Sequence, residues 1–237
     1  MVRMFTGAVA GGVLATAGAL AYAVRWPSSG LLAPSIHQGP RDRAAIALTF
    51  DDGPSESTPR LLDLLSRYRV PATFFQCGAN VRRLPRLACE IGDAGHEIGN
   101  HTDSHAMLHF RSPGYIRNEL MRAQETIEDV TGITPALFRA PYGVRWFGLR
   151  RVQRELRLLG VTWTVIGRDW KWPAEQVEKA VLRRAANGTI VCLHDGRELQ
   201  AAPDIRATLE AVRRILPVLL DKGFQFRTVS QLICPTI

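Results

Sequence analysis

The stretch Ala44-Ala45-Ile46-Ala47-Leu48-Thr49-Phe50-Asp51-Asp52-Gly53-Pro54 joins an uncharged apolar run to two adjacent carboxylates and a Gly-Pro break. The run reads as a buried strand and Gly53-Pro54 stops it, so both acids stand where a strand passes into a loop. Farther on, His101-Thr102-Asp103-Ser104-His105 carries two imidazoles at i and i+4, which can meet one cation if the segment turns helically. One Asp and two His leave an open position on zinc, and the second Asp is then free to serve as a base. Each piece also has a plainer reading, since adjacent acids before Gly-Pro cap strand ends and paired histidines can be satisfied polar residues. Three further polar groups follow in order: Arg139-Ala140-Pro141-Tyr142, Asp169-Trp170 and Leu193-His194-Asp195. Most of them end apolar runs as well.

The rest of the body alternates strand and helix patterns. Strands are expected at Ala45 to Phe50, Ala72 to Gln76, Glu97 to Gly99, Leu137 to Arg139, Val161 to Ile166, Thr189 to His194 and Phe224 to Arg227. Helices are expected at Thr58 to Arg69, Leu84 to Ala94, Pro113 to Thr131, Phe147 to Leu159, Pro173 to Ala186 and Asp204 to Lys222. This order predicts an α/β fold of parallel strands wrapped by helices. Asp51, Arg139 and His194 all end predicted strands.

From Ala44 to Leu232 the chain resembles the polysaccharide deacetylases, carbohydrate esterase family 4, whose catalytic unit is the NodB-homology domain. The motifs that carry the resemblance are Thr49-Phe50-Asp51-Asp52-Gly53-Pro54, His101-Thr102-Asp103-Ser104-His105, Arg139-Ala140-Pro141-Tyr142, Asp169-Trp170 and Cys192-Leu193-His194. The resemblance implies a distorted, incomplete (β/α) barrel of about seven parallel strands, with catalytic residues at the C-terminal strand ends. It implies that a divalent metal, zinc by preference, is held by Asp52, His101 and His105, that Asp51 is the base, and that Arg139 orients the Asp51 carboxylate. A backbone N–H near Tyr142 would complete the oxyanion site. His194 would be the acid for the leaving nitrogen, kept protonated by Asp169, and Trp170 would wall the groove beside a sugar ring. Two departures stand out: Ile166 occupies a position that often carries an additional Asp, and Cys192 replaces a Leu that lines the acetyl-methyl pocket. His96 and His109 read as structural, and His37 has no assigned role.

The 237 residues, 46% hydrophobic and 22% charged, suit one compact domain carrying an appendage. The net charge of +8 does not indicate nucleic acid, because the basic residues are spread along helical stretches such as Arg150-Arg151, Arg154, Arg157 and Arg183-Arg184, the pattern of solvated helix faces. From Met4 to Val24 the chain has 21 residues without a formal charge, flanked by Arg3 and by Arg25-Trp26. That length can span a bilayer, so residues 1–26 are expected to be a retained transmembrane anchor; the alternative is a signal peptide cleaved after Ala21-Tyr22-Ala23. Either places the catalytic domain outside the cytoplasm, membrane-anchored or secreted. Residues 27–43 read as a linker, 44–232 as the catalytic domain and 233–237 as a tail. The four cysteines are expected to be free and buried, with a Cys89 to Cys234 bridge as the other possibility.

Three functions fit. The first is a metal-dependent hydrolase that removes N-acetyl groups from an envelope polysaccharide such as peptidoglycan or poly-N-acetylglucosamine. The second keeps the chemistry and acts on a lipid-linked sugar (deacetylated or deformylated) or an O-acetylated polymer. The third is a non-catalytic glycan-binding protein on the same fold, which would lack a metal ligand or Asp51.

Overall fold

The computed structural model describes residues 18–234. In chain order come β1 (Ser35–Ile36), β2 (Ala45–Gly53), α1 (Thr58–Tyr68), β3 (Thr73–Gln76), α2 (Gly78–Arg83) and α3 (Pro85–Asp93). They are followed by β4 (Glu97–Asn100), α4 (Pro113–Thr131), β5 (Leu137–Phe138), a 3-10 turn (Pro141–Gly143), α5 (Leu149–Glu155), β6 (Leu159–Val161) and β7 (Val165–Ile166). The chain ends with α6 (Ala174–Leu182), β8 (Thr189–His194), α7 (Arg206–Asp221), β9 (Gln225–Phe226) and α8 (Val229–Ile233).

One parallel sheet runs β1-β6-β5-β4-β3-β2-β8-β7, with β9 pairing the start of β2. β2 is the axis of this sheet because all nine of its residues are buried, which a strand covered on both faces requires. Its side chains alternate. Ile46, Leu48 and Phe50 face outward and pack with Leu61 and Leu65 of α1, Val177 and Val181 of α6 and Ile215 of α7. Ala45 and Ala47 face the barrel interior with Phe75, Leu137, Val161 and Ile190, above a floor made by Val229 and Leu232 of α8. Each fully buried Leu, Ile or Phe contributes about 1.5–3 kcal/mol, so the outward face supplies most of the adhesion between sheet and helices. The inward rank continues past Ala47 to Thr49 and Asp51, and that alternation delivers an acid to the mouth of the barrel.

The barrel is incomplete. The strand expected at Val161 to Ile166 is broken into β6 and β7, which lie near opposite ends of the strand order. Thr162, Trp163 and Thr164 join them, so the ring is closed by three residues of chain and one antiparallel bridge between Gln38 and Thr189, with no ladder. This split and the unforeseen β1 raise the expected seven strands to nine. The stretch expected as a linker is laid against the barrel: β1 pairs with β6, and Ala33 is fully buried against α4 and α5.

Helix bounds follow their caps. α4 matches its expectation because Ser112 Oγ accepts the Tyr115 N–H at 3.2 Å, Pro113 opens the helix, and Gly132 ends it at φ 71°. The helix expected from Phe147 to Leu159 is shorter, since Gly148 at φ 90° precedes its first turn and Leu159 already belongs to β6. No helix among the described residues is long and apolar enough to cross a membrane. Most of the uncharged stretch from Met4 to Val24 lies outside the described residues.

Candidate active site

Asp51 and Asp52 are neighbours, and in a regular strand their side chains would point to opposite faces. The β2–β3 register shifts between Asp51 and Gly53, and Asp52 takes a left-handed backbone at φ 74°. That irregularity turns Asp52 so that both carboxylates line one cavity of about 1350 Å³ at the barrel mouth. The turned backbone is packed tightly: a Cβ on Gly196 would lie 2.6 Å from the Asp52 carbonyl carbon.

Asp52 Oδ1 lies 3.3 Å from His101 Nε2 and 3.1 Å from His105 Nε2, and the three ligand atoms cluster within 4.8 Å. His101 Nδ1 is 2.7 Å from the Arg139 carbonyl, which makes Nδ1 the protonated nitrogen and leaves the Nε2 lone pair toward Asp52. Asp52 Oδ2 accepts the Glu198 N–H at 2.9 Å, whereas the buried Oδ1 has no hydrogen-bond donor. An orphaned carboxylate oxygen facing two imidazole nitrogens fits a divalent cation. Burial pushes the Asp52 carboxyl up, but the adjacent His101 and His105 imidazoles, with help from the His194 charge, outweigh it and hold the group well below the usual range.

The two histidines do not share a helical turn, as their spacing had suggested. The segment is a loop in which Thr102 and His105 adopt φ 67° and 55°, and these left-handed residues fold His105 back over His101, ring centroids 5.1 Å apart. Thr102 N–H is tied to Asn100 Oδ1 at 2.9 Å, and Arg82 clamps Asp103 at 2.6 Å.

Asp51 lines the same cavity and is held from behind by two buried side chains, Arg139 and Cys192. Arg139, with no exposed side-chain surface, donates from one terminal nitrogen to Asp51 Oδ1 at 2.7 Å and to Thr49 Oγ1 at 2.7 Å. Its other donors serve the carbonyls of Val161 and Thr162, and its guanidinium lies 4.2 Å from the Phe75 ring centre. Arg139 therefore grips Asp51 through one nitrogen and not through a two-donor fork; the seam between β6 and β7 takes its remaining donors. Asp51 Oδ2 accepts from Cys192 Sγ at 3.4 Å. Burial and the Asp51 charge push the Cys192 thiol far up, so although Asp51, Cys192 and His194 also cluster, the thiolate a second metal site needs is disfavoured there.

Opposite Asp51 in register, His194 has Nδ1 2.9 Å from Asp169 Oδ1. Asp169 Oδ2 takes the His194 backbone N–H at 2.9 Å and the Thr208 hydroxyl at 2.6 Å. Burial works against the imidazolium, but the Asp169 charge and hydrogen bond, with help from Asp52 and Asp51, push the His194 pKa up to about 9. Trp170 is half exposed with its ring centre 4.8 Å from His194, edge to face. Ile166 and Cys192, the two departures noted in the sequence, are cross-strand partners and both line the cavity, so they alter a single patch of wall.

Tyr142 stands over His105 with ring centres 4.8 Å apart and donates its hydroxyl to Glu198 Oε1 at 2.7 Å. Gly143 and Val144 give their N–H groups to Ala140 and Pro141, which leaves the Tyr142 N–H as the uncommitted donor of that turn. All ten residues singled out in the sequence thus surround one cavity or support it directly.

Sequence reasoning missed Asn80, Asp195 and Glu198. Asn80 Nδ2 donates to the carbonyls of Asp52 and Glu198 at 2.7 and 2.8 Å, fixing the turned strand end. Asp195 is fully buried beneath Gly53, bonded to Thr58 at 2.6 Å, and burial pushes its pKa up to about 7. Only Asp195 had a signal, its place next to His194. His96 gets its low pKa, about 4, from burial and accepts the Ala72 N–H, a structural role. The four cysteines are free, but only Cys77 and Cys192 are buried; Cys89 is partly buried, its Sγ turned to the Val130 carbonyl at 3.1 Å, and Cys234 is exposed in the tail.

A parallel barrel whose mouth gathers a cation-fitting Asp/His/His set, an arginine-held aspartate and an Asp-backed histidine defines a hydrolase centre. The family model described as polysaccharide deacetylase matches residues 38–164. The chain is 35% identical over 198 residues to a peptidoglycan-N-acetylglucosamine deacetylase of Bacillus cereus, covering 82% of this chain and 70% of that one. It is 34% identical over 197 residues to a chitooligosaccharide deacetylase of Bradyrhizobium, covering 79% and 90%. Among solved structures, a peptidoglycan N-acetylglucosamine deacetylase in complex with 4-naphthalen-1-yl-N-oxidanyl-benzamide superposes with a TM-score of 0.80 at 31% identity, covering 85% of this chain and 94% of that one. The chain belongs to the polysaccharide deacetylase family and is an enzyme of that class.

Proposed function

We propose that this enzyme removes N-acetyl groups from an envelope polysaccharide of the peptidoglycan or poly-N-acetylglucosamine type, with zinc in the Asp52, His101 and His105 site. The observation that carries this reading is the division of labour between adjacent acids, Asp52 facing two imidazoles and Asp51 held by Arg139. When bound there, the cation supplies Lewis acidity for the acetyl carbonyl and lowers the pKa of the attacking water. Asp51 takes the proton of that water, with Arg139 and the Cys192 thiol fixing its two oxygens. The Tyr142 N–H faces the developing oxyanion. His194, charged through Asp169, gives its proton to the departing amine. Trp170 and the Tyr142 ring present aromatic surface to the sugar.

We further propose that residues 1–26 anchor the enzyme in a membrane with the barrel on the extracytoplasmic side. Two experiments test these readings. Purified enzyme assayed for acetate release on a panel of N- and O-acetylated glycans, with and without chelator, should act on N-acetylated glycans and lose that activity to the chelator. Amino-terminal sequencing of protein recovered from its native membrane fraction should find the first 23 residues present; a soluble chain beginning at Val24 would refute the anchor alone.

A further inference from the structure

The cavity around the catalytic residues extends well past them, along the edge strand β7 and the seam between β6 and β7. Its walls carry five arginines, Arg25, Arg41, Arg168, Arg184 and Arg197. None of the five makes an ion pair with a carboxylate among the described residues. Arg197 is held by the carbonyls of Gly196 and Asp169, and Arg168 lies 5.3 Å over Trp172, so protein dipoles and a ring position these two charges.

The three carboxylates in the same walls are already engaged: Asp51 by Arg139, Asp52 by His101 and His105, and Glu198 by Tyr142. The cavity is therefore positive beyond its catalytic end. Trp26 and Trp170, 60% and 47% exposed, add bare aromatic surface to it, and its volume far exceeds what an acetyl group needs. Aromatic faces beside unpaired guanidinium groups match a sugar chain that carries anions. Arg184 thus belongs to the groove and not to a solvated helix face, as its sequence neighbourhood had suggested.

We propose that these arginines recognise an anionic substituent, a carboxylate or a phosphate, on the glycan flanking the acetylated sugar. The proposal rests on the deacetylase reading for its substrate class. Carboxylates would mark a wall polymer, and phosphate would mark a lipid-linked sugar, the source that the position of Arg25 and Trp26 directly after the uncharged N-terminal stretch also suits.

The test is equilibrium binding to the full chain, followed by tryptophan fluorescence. Three N-acetylated pentasaccharides of equal length are compared: neutral chitopentaose, one bearing carboxylates and one bearing a terminal phosphate. At low salt at least one anionic glycan should bind about tenfold tighter than the neutral one, and the advantage should shrink toward unity near 0.5 M salt, as screening of exposed charges requires. The double variant Arg41→Gln, Arg184→Gln should cut the anionic-to-neutral ratio at least about threefold. Salt dependence of the wild type reads the same charges if the variant does not fold. Which anionic glycan gains decides between wall and lipid sources. Equal or weaker binding of both anionic glycans, or a wild-type preference indifferent to salt, would overturn the proposal. Failure of the metal-loaded enzyme to release acetate from any of the three would instead overturn the deacetylase reading.

Discussion

At the scale of single residues, the two aspartates should fail differently when altered. Asp51→Asn removes the proton acceptor and leaves the Asp52, His101 and His105 atoms untouched, so kcat should fall at least about a hundredfold with metal content unchanged. Asp52→Asn should lose metal, read by elemental analysis after dialysis. Equal metal loss in both variants would refute the division of labour. His194 gives a pH prediction. Its folded-state pKa of about 9 lies above the ordinary 6.5, so the ion pair with Asp169 stabilises the fold fully below about pH 6.5 and loses that contribution as pH rises through 9. Activity that needs the imidazolium should decline on the same alkaline limb, and Asp169→Asn should move that limb down toward 6.5. A limb that stays in place would show that another group sets it. Asp51, Arg139 and His194 were legible because each ends an apolar run; Asn80 and Glu198 were not, because they act through backbone groups distant in sequence.

At the scale of elements, the irregular end of β2 carries the site. Gly196→Ala would drive a methyl group into the Asp52 backbone, and overpacking of this kind costs about 1–3 kcal/mol. The variant should show a lower thermal midpoint and weaker metal retention together; a loss of stability with normal metal affinity would separate the close packing from the function assigned to it. The buried strands could be read from sequence because continuous apolar runs survive any local choice. β1, α2 and α8 could not. They are two, six and five residues long, too short for a period to emerge, and are fixed by what they touch: β6, the His101 loop and the barrel floor. The i, i+4 spacing of His101 and His105 signals that one cation can be met if the segment turns helically, while here two left-handed residues in a loop achieve the same proximity.

At the scale of the whole molecule, the unpaired seam between β6 and β7 gives the catalytic centre its long approach. The end of the uncharged N-terminal stretch and the segment after it are docked beside it: Arg145 N–H bonds the Val24 carbonyl at 3.0 Å, and Thr162 Oγ1 bonds the Pro27 carbonyl at 2.7 Å. Deleting residues 1–29 should therefore raise KM for long glycans several-fold while changing kcat little, since Trp26 and its neighbours wall the cavity and none touches Asp51 or Asp52. An unchanged KM would remove that wall from the substrate path. The barrel class was legible from strand-helix alternation, but its seam was not, because Thr162-Trp163-Thr164 is as strand-like as the residues on either side. The central claim, that Asp52, His101 and His105 hold the cation on which deacetylation depends, is tested most directly by stripping the enzyme with chelator and titrating zinc back while acetate release from an N-acetylated glycan is followed. Activity should vanish and return in full at one equivalent, and His105→Ala should neither retain the metal nor recover; full activity in the stripped enzyme, or stoichiometric metal and normal turnover in His105→Ala, would contradict the account.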